Sequence, residues 1–230
     1  MEFSVAQQEY IRGLKEELKE QDHVSVANFE RILSLTADQI KLEVEKSLSR
    51  LNELKVSENH ASKKTRLAWV ILRNFFEKNA SAFESEDILP VMYGSIIFDD
   101  PRNLDFDILL VTERHGNEIE KMIDPWREVL NREWKKVGSE GHISHLPMDR
   151  LRMHCEAFQK GWKENSFYVD MDFGQAAIVM SGEPINGKIE EYREQVWKLA
   201  SETPVLMGAL AMNLGETVIE REIRRAGLRD

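Results

Sequence analysis

Residues 88–113 read ILPVMYGSIIFDDPRNLDFDILLVTE. In this stretch an apolar run ends at Gly94 and Ser95, and nine residues later Asp105 and Asp107 stand at the head of a second apolar run. Alternate residues of a strand share a face, so the two carboxylates are predicted to lie side by side. Like charges held that close repel, and a divalent cation is the commonest compensation.

The composition restricts the classes of function. The chain has 230 residues, 42% of them hydrophobic, which is enough for one sizeable domain with a buried core. Its net charge of −10 argues against a broad nucleic-acid surface, although bound metal ions can still reverse the sign of a local site. The single Cys155 and the absence of a signal-peptide pattern in MEFSVAQQEY predict a cytoplasmic protein, and no apolar run is long enough to span a membrane.

The order of patterns along the chain predicts an α+β fold. Helical apolar spacing, with a capping box in the TADQ sequence at 36–39, predicts a helical N-terminal region over residues 1–85. A mixed α/β core is predicted over 86–187, and a helical C-terminal region over 188–230. The helical stripes are typical of internal packing, and the alternative is a surface for a second copy or a protein partner.

Four short segments are predicted to be strands of a small mixed sheet. Turn residues bound the two apolar runs VMYG and DFDILLV. HISHL, at 142–146, is a third candidate strand, and SFYVDMDF, at 166–173, is a fourth because its apolar residues alternate with polar ones.

The Gly-Ser turn followed by Asp-Phe-Asp-Ile resembles the motif of the nucleotidyltransferase superfamily typified by DNA polymerase β. In that family a hydrophobic residue, Gly, and Gly or Ser precede an acid–hydrophobic–acid–hydrophobic strand. The close resemblance covers about 25 residues here, from Tyr93 to Ile108 and their flanks. It implies a small mixed-sheet nucleotidyltransferase core between the two helical regions.

The resemblance also implies a reaction and a set of ligands. The family transfers a nucleoside monophosphate from a nucleoside triphosphate to an acceptor and releases pyrophosphate. Asp105 and Asp107 would hold two Mg²⁺ ions, and Gly94 and Ser95 would seat the β- and γ-phosphates. A basic residue often follows Gly-Ser in this family. Here the nearby cation is Arg102, which would either contact phosphate or pair with a neighbouring aspartate.

A third carboxylate usually completes the metal site of this family from a later strand. If YVDMD is that strand, Asp170 is the preferred ligand and base, and Asp172 is the alternative. If HISHL is that strand, the expected acid is missing and histidines stand near its position. Alternatively, both acids face solvent on an edge strand and bind no metal.

Two functions follow from these patterns. The leading hypothesis is an active nucleotidyltransferase whose acceptor is a small molecule or a protein rather than a long nucleic acid. The alternative is an inactive member of the same fold that acts as a binding or assembly module through its helices. The histidines and Cys155 in residues 142–155 match no zinc-finger spacing and are expected to be surface or packing residues.

Overall fold

The computed structural model describes residues 30–99, 106–138, 140–160 and 166–202, together with isolated positions before residue 30. The helical predictions before residue 30 and after residue 202 lie mostly or wholly outside the described residues, as do Arg102 and Asp105. Within the described part of the chain, no helix is both long and apolar enough to cross a bilayer.

Among the described residues, the helices that precede the sheet include α1 (Ala37–Leu54), α2 (Lys63–Lys78) and α3 (Ala80–Ser85). The predicted capping box is confirmed at the start of α1. The Thr36 side chain accepts a hydrogen bond from the Gln39 backbone N–H, and the Gln39 side chain accepts one from the Thr36 N–H. These reciprocal bonds satisfy backbone donors that a helix start otherwise leaves without partners.

In the part of the chain that the structure describes, the sheet has four strands in the order β3-β2-β1-β4, which confirms a mixed α+β architecture. They are β1 (Leu89–Tyr93), β2 (Phe106–Thr112), β3 (Gly141–Pro147) and β4 (Glu183–Pro184). β1 pairs antiparallel with β2 and β4, whereas β2 and β3 are parallel. The parallel pair is connected by helix α4 (Asn117–Lys135), as a parallel connection requires.

Side chains of the central strands pack into two separate apolar clusters, one on each face of the sheet. Leu109 and Val111 of β2 join the cluster that contains residues of α1 and of the later helices. Phe106, Ile108 and Leu110 join the cluster built with α2, α3 and α4. Period-2 alternation in β2 therefore decides which layer of helices each residue contacts.

Up to residue 202, where the described residues end, three helices follow β3: α5 (Met148–Gln159), α6 (Ser166–Ser181) and α7 (Glu190–Glu202). The prediction of a strand over SFYVDMDF is wrong, because that segment forms the first half of α6. The rest of α6 is buried on several sides, since Ala176, Ala177, Val179 and Met180 are buried and Ile178 packs against the same cluster. A helix surrounded by apolar contacts lacks the amphipathic period that would distinguish it from a strand.

Candidate functional site

Gly94 and Asp107 lie in direct contact at one end of the sheet. The antiparallel register pairs Tyr93 with Asp107, and Gly94 then begins a 3₁₀ turn, Gly94–Ile97. Gly94 has φ +73°, a left-handed conformation that glycine adopts without steric cost. A Cβ at this position would lie 2.5 Å from the Asp107 Oδ2 atom. Only a residue without a side chain leaves the space beside this carboxylate open.

The Tyr93 phenol and the Ser144 side chain extend this polar region across the sheet. Burial raises the pKa of Tyr93, the hydrogen bond to Ser144 opposes this in part, and the nearby Asp107 carboxylate adds a smaller upward effect. Tyr93 therefore stays neutral and able to hydrogen-bond at physiological pH. Asp107 itself is half-buried, and it makes at least one polar or electrostatic interaction with another residue.

His142 stands opposite Asp107 on the neighbouring strand. The two residues are Cα partners in the parallel register of β2 and β3, so they share a face of the sheet. The imidazole is exposed. This is the arrangement that sequence analysis foresaw if HISHL was the third strand, with a histidine near the position where an acid was expected.

The structure describes the other predicted site residues only in part. Ser95 belongs to the 3₁₀ turn, but its side chain lies outside the described residues, as do all atoms of Arg102 and Asp105. Asp170 lies on helix α6 rather than on a strand, so the alternation argument for its role is wrong. The position of its carboxylate also lies outside the described residues.

Asp172, the alternative third acid, is fully buried between α5 and α6. Its carboxylate accepts hydrogen bonds from Arg150 Nη2 at 3.0 Å and from His154 Nδ1 at 2.5 Å. Arg150 also donates to the His145 carbonyl oxygen, which ties this pair of helices to β3. These hydrogen bonds stabilise the buried Asp172 carboxylate without a metal ion.

A cavity of about 960 Å³ opens next to the Gly94 turn. Met92, which precedes that turn, and Ile97, its last residue, contribute to the cavity wall. Further apolar lining comes from α1, α2 and the chain around β4, including Leu48, Trp69, Leu72, Met180, Ile185 and Ile189. The volume is typical of a small-molecule site.

Charged side chains of the cavity are mostly joined in ion pairs. Lys55 Nζ lies 2.6 Å from Glu183 Oε1, and Arg73 Nη2 lies 2.7 Å from Glu58 Oε2. In contrast, the buried Nε1 atom of Trp69 finds no hydrogen-bond partner among the described residues. The cavity therefore combines apolar walls with paired charges.

The histidines that sequence analysis considered together are separated by the fold. His154 contacts Asp172, and the Cys155 thiol is buried in the apolar core. His145 instead lies beside His115 and Glu120, at the opposite end of β2 from Asp107. Sequence analysis missed these two partners. The signal that could have found them is the general tendency of polar residues at adjacent carboxyl ends of parallel strands to meet.

Comparison of the chain with models of protein families, with curated proteins and with solved structures found no match.

Proposed function

We propose that this chain is a metal-dependent nucleotidyltransferase whose reaction site is the Gly94 turn and the Asp107 strand. The observation that carries the proposal is the contact between these two residues. The sequence motif requires a side-chain-free turn to sit against an acidic strand, and a Cβ on Gly94 would lie 2.5 Å from the Asp107 carboxylate.

The proposed reaction depends on charged groups that are held in position by the protein, and it needs no covalent intermediate. Asp107 and Asp105 would hold Mg²⁺, which neutralises the triphosphate and orients the attacking group of the acceptor. The space above Gly94, together with the N–H groups of the following turn, would admit the phosphates close to the backbone. Tyr93 and Ser144 would supply hydrogen bonds on the same face of the sheet.

The neighbouring cavity is the proposed acceptor site. Its wall includes Met92, two residues before Gly94, and Ile97, the last residue of the turn, so a molecule in it would lie next to the turn. The apolar lining fits a small molecule or a side chain with an apolar body. A long polyanion fits poorly, since glutamates as well as basic residues surround the opening.

A second candidate function is nucleotide binding without transfer. The observation that favours it is His142 at the position paired with Asp107, on the strand where the family's third carboxylate is expected. A site with fewer acids would bind a metal–nucleotide complex but activate the acceptor poorly. The protein would then act as a nucleotide-responsive binding module.

Two measurements on the same preparation distinguish these functions. Calorimetry with each of the four Mg-nucleoside triphosphates measures binding, and a pyrophosphate-release assay with a panel of hydroxyl- and amine-bearing small molecules measures transfer. Binding with acceptor-dependent pyrophosphate release supports the transferase. Binding without release from any acceptor supports the binding module, and no Mg-dependent binding contradicts both.

A further inference from the structure

His115, Glu120 and His145 come together from three different segments. His115 follows β2, Glu120 lies in the first part of α4, and His145 belongs to β3. One ligand atom from each residue lies within 4.8 Å of the other two. The two imidazole rings are stacked, with centroids 6.4 Å apart and planes 22° apart.

Both ring nitrogens of His145 lie against oxygen atoms. Nε2 lies 2.9 Å from the Thr112 hydroxyl oxygen, and that hydroxyl also lies 3.0 Å from the Arg114 carbonyl oxygen. When the hydroxyl donates to Arg114 and accepts from the Nε2–H group, Nδ1 of the neutral ring presents a lone pair.

In that arrangement the Nδ1 lone pair faces the Glu120 carboxylate. His145 Nδ1 lies 2.8 Å from the Glu120 Oε1 atom. A metal cation beside these two atoms would be bound by both of them, and His115 lies near enough to be a third ligand. Only 3% of the His145 side chain is exposed, so the surrounding residues hold the ring in this position.

We propose that His115, Glu120 and His145 form a binding site for one divalent transition-metal ion of the zinc class. Two imidazoles and one carboxylate are the donors that Zn²⁺ and Co²⁺ accept, whereas Mg²⁺ prefers oxygen ligands alone. Ligand atoms around a tetrahedral zinc ion are separated by about 3.3 Å. The present distances reach that spacing through side-chain adjustment, and His115 and Glu120 are accessible enough for water to be the fourth ligand.

The contact between His145 and Thr112 is a second feature that is common in metal sites. Histidine ligands usually donate their second ring N–H to a neighbouring oxygen, which fixes the ring's orientation. His145 Nε2 makes that contact with Thr112, while Nδ1 points toward Glu120. The histidine is therefore already oriented as a ligand.

This site is separate from the proposed nucleotide site. Asp107 and Thr112 are five residues apart on β2, which corresponds to roughly 17 Å along a strand. Glu120 belongs to helix α4, which packs on the opposite face of the sheet from Leu109 and Val111. A metal ion here would connect the end of β2, the start of α4 and β3. Its proposed role is to fix the path of this connection.

Cobalt provides the direct test because tetrahedral Co²⁺ has strong visible absorption bands, and Zn²⁺ displaces it. The full chain, first treated with a chelator, should bind one equivalent of Co²⁺ with micromolar or tighter affinity. His115→Ala and Glu120→Gln should each weaken binding at least tenfold. His60→Ala, which removes an exposed histidine outside the cluster, should leave affinity unchanged.

Thermal unfolding gives a second readout. Zn²⁺ should raise the melting temperature of the wild type and of His60→Ala, but not that of His115→Ala, because only a folded site binds the ion. His115 is exposed, so its replacement should preserve the fold. Absence of tetrahedral Co²⁺ bands in the wild type would overturn the proposal and leave a proton-bridged His145–Glu120 pair. Equal binding by all variants would also overturn it.

Discussion

A side chain on Gly94 and the carboxylate of Asp107 would occupy the same space, since the distance from a built Cβ to Oδ2 is only 2.5 Å. The turn after β1 therefore has no room for a side chain beside the carboxylate at the start of β2. This relationship makes the Gly-Ser turn and the acidic strand one structural unit. It also allows the unit to be tested by substitution.

Gly94→Ala should destabilise the fold and abolish Mg-nucleotide binding. The left-handed backbone costs an alanine about 1 kcal/mol, and the Asp107 carboxylate must turn away from the added Cβ, for a total of about 1–3 kcal/mol. Urea unfolding and calorimetry measure the two effects. Gly138→Ala is the matched control, because Gly138 has φ +71° with no atom within 4 Å of its built Cβ. It should cost only ~1 kcal/mol and leave binding intact. Similar effects of both substitutions on nucleotide binding would argue against a site at Gly94.

Asp172→Asn should destabilise the protein by about 3 kcal/mol, because it breaks a buried charge pair and leaves Arg150 without its carboxylate. Urea unfolding checks this value. Glu113→Gln is the control, because it breaks an ion pair with Arg152 that is partly exposed and should cost below ~1 kcal/mol. Folded Asp172→Asn should still bind Mg-nucleotide. If it keeps full stability but loses Mg-nucleotide binding, Asp172 is a metal ligand rather than a structural residue.

Cys155 should not react with iodoacetamide in the folded protein at pH 8. Only 1% of the residue is exposed, and burial, assisted by the Asp172 charge, raises the pKa of its thiol from about 9 to about 12. Reaction requires the thiolate, so it should follow global unfolding. Mass spectrometry of labelled samples, with and without denaturant, gives the rates. Rapid modification without denaturant would show that the contact between α5 and the core is looser than described.

The same thiol predicts a stability change at high pH. In the unfolded chain Cys155 ionises near pH 9, whereas the folded chain keeps its proton to about pH 12. Its contribution to stability is therefore present below pH 9 and is lost as pH rises from about 9 to about 12. Cys155→Ala should reduce this alkaline loss, as measured by urea unfolding at several pH values. An identical pH dependence in both proteins would contradict the raised pKa.

Local signals made much of the fold predictable from the sequence. Turn residues bounded β1 and β2, and the Thr36 capping box marked the start of α1. Helix α6 was mistaken for a strand because its first eight residues alternate by chance. Moreover, Asp172 is neutralised by Arg150 and His154 from another helix, which no local pattern reveals.

The two candidate sites also differ in how far the sequence predicts them. Gly94 and Asp107 belong to one continuous motif, so their proximity follows from a single antiparallel pairing. The cluster of His115, Glu120 and His145 depends on a parallel pairing and on the path of α4 between its strands. Only the three-dimensional structure brings those ligand atoms together.

The central claim is that the Gly94–Asp107 unit binds a metal–nucleotide complex, and Mn²⁺ electron paramagnetic resonance tests it most directly. Mn²⁺ replaces Mg²⁺ in oxygen-ligand sites, and its spectrum changes when the ion is immobilised on a protein. The wild type should immobilise Mn²⁺ in the presence of a nucleoside triphosphate, and the signal of bound ion should disappear in Asp107→Asn. Asp124→Asn, the same change at an exposed surface position, should behave as the wild type. Equal immobilisation of Mn²⁺-nucleotide by Asp107→Asn and the wild type, or none by either, would contradict the account.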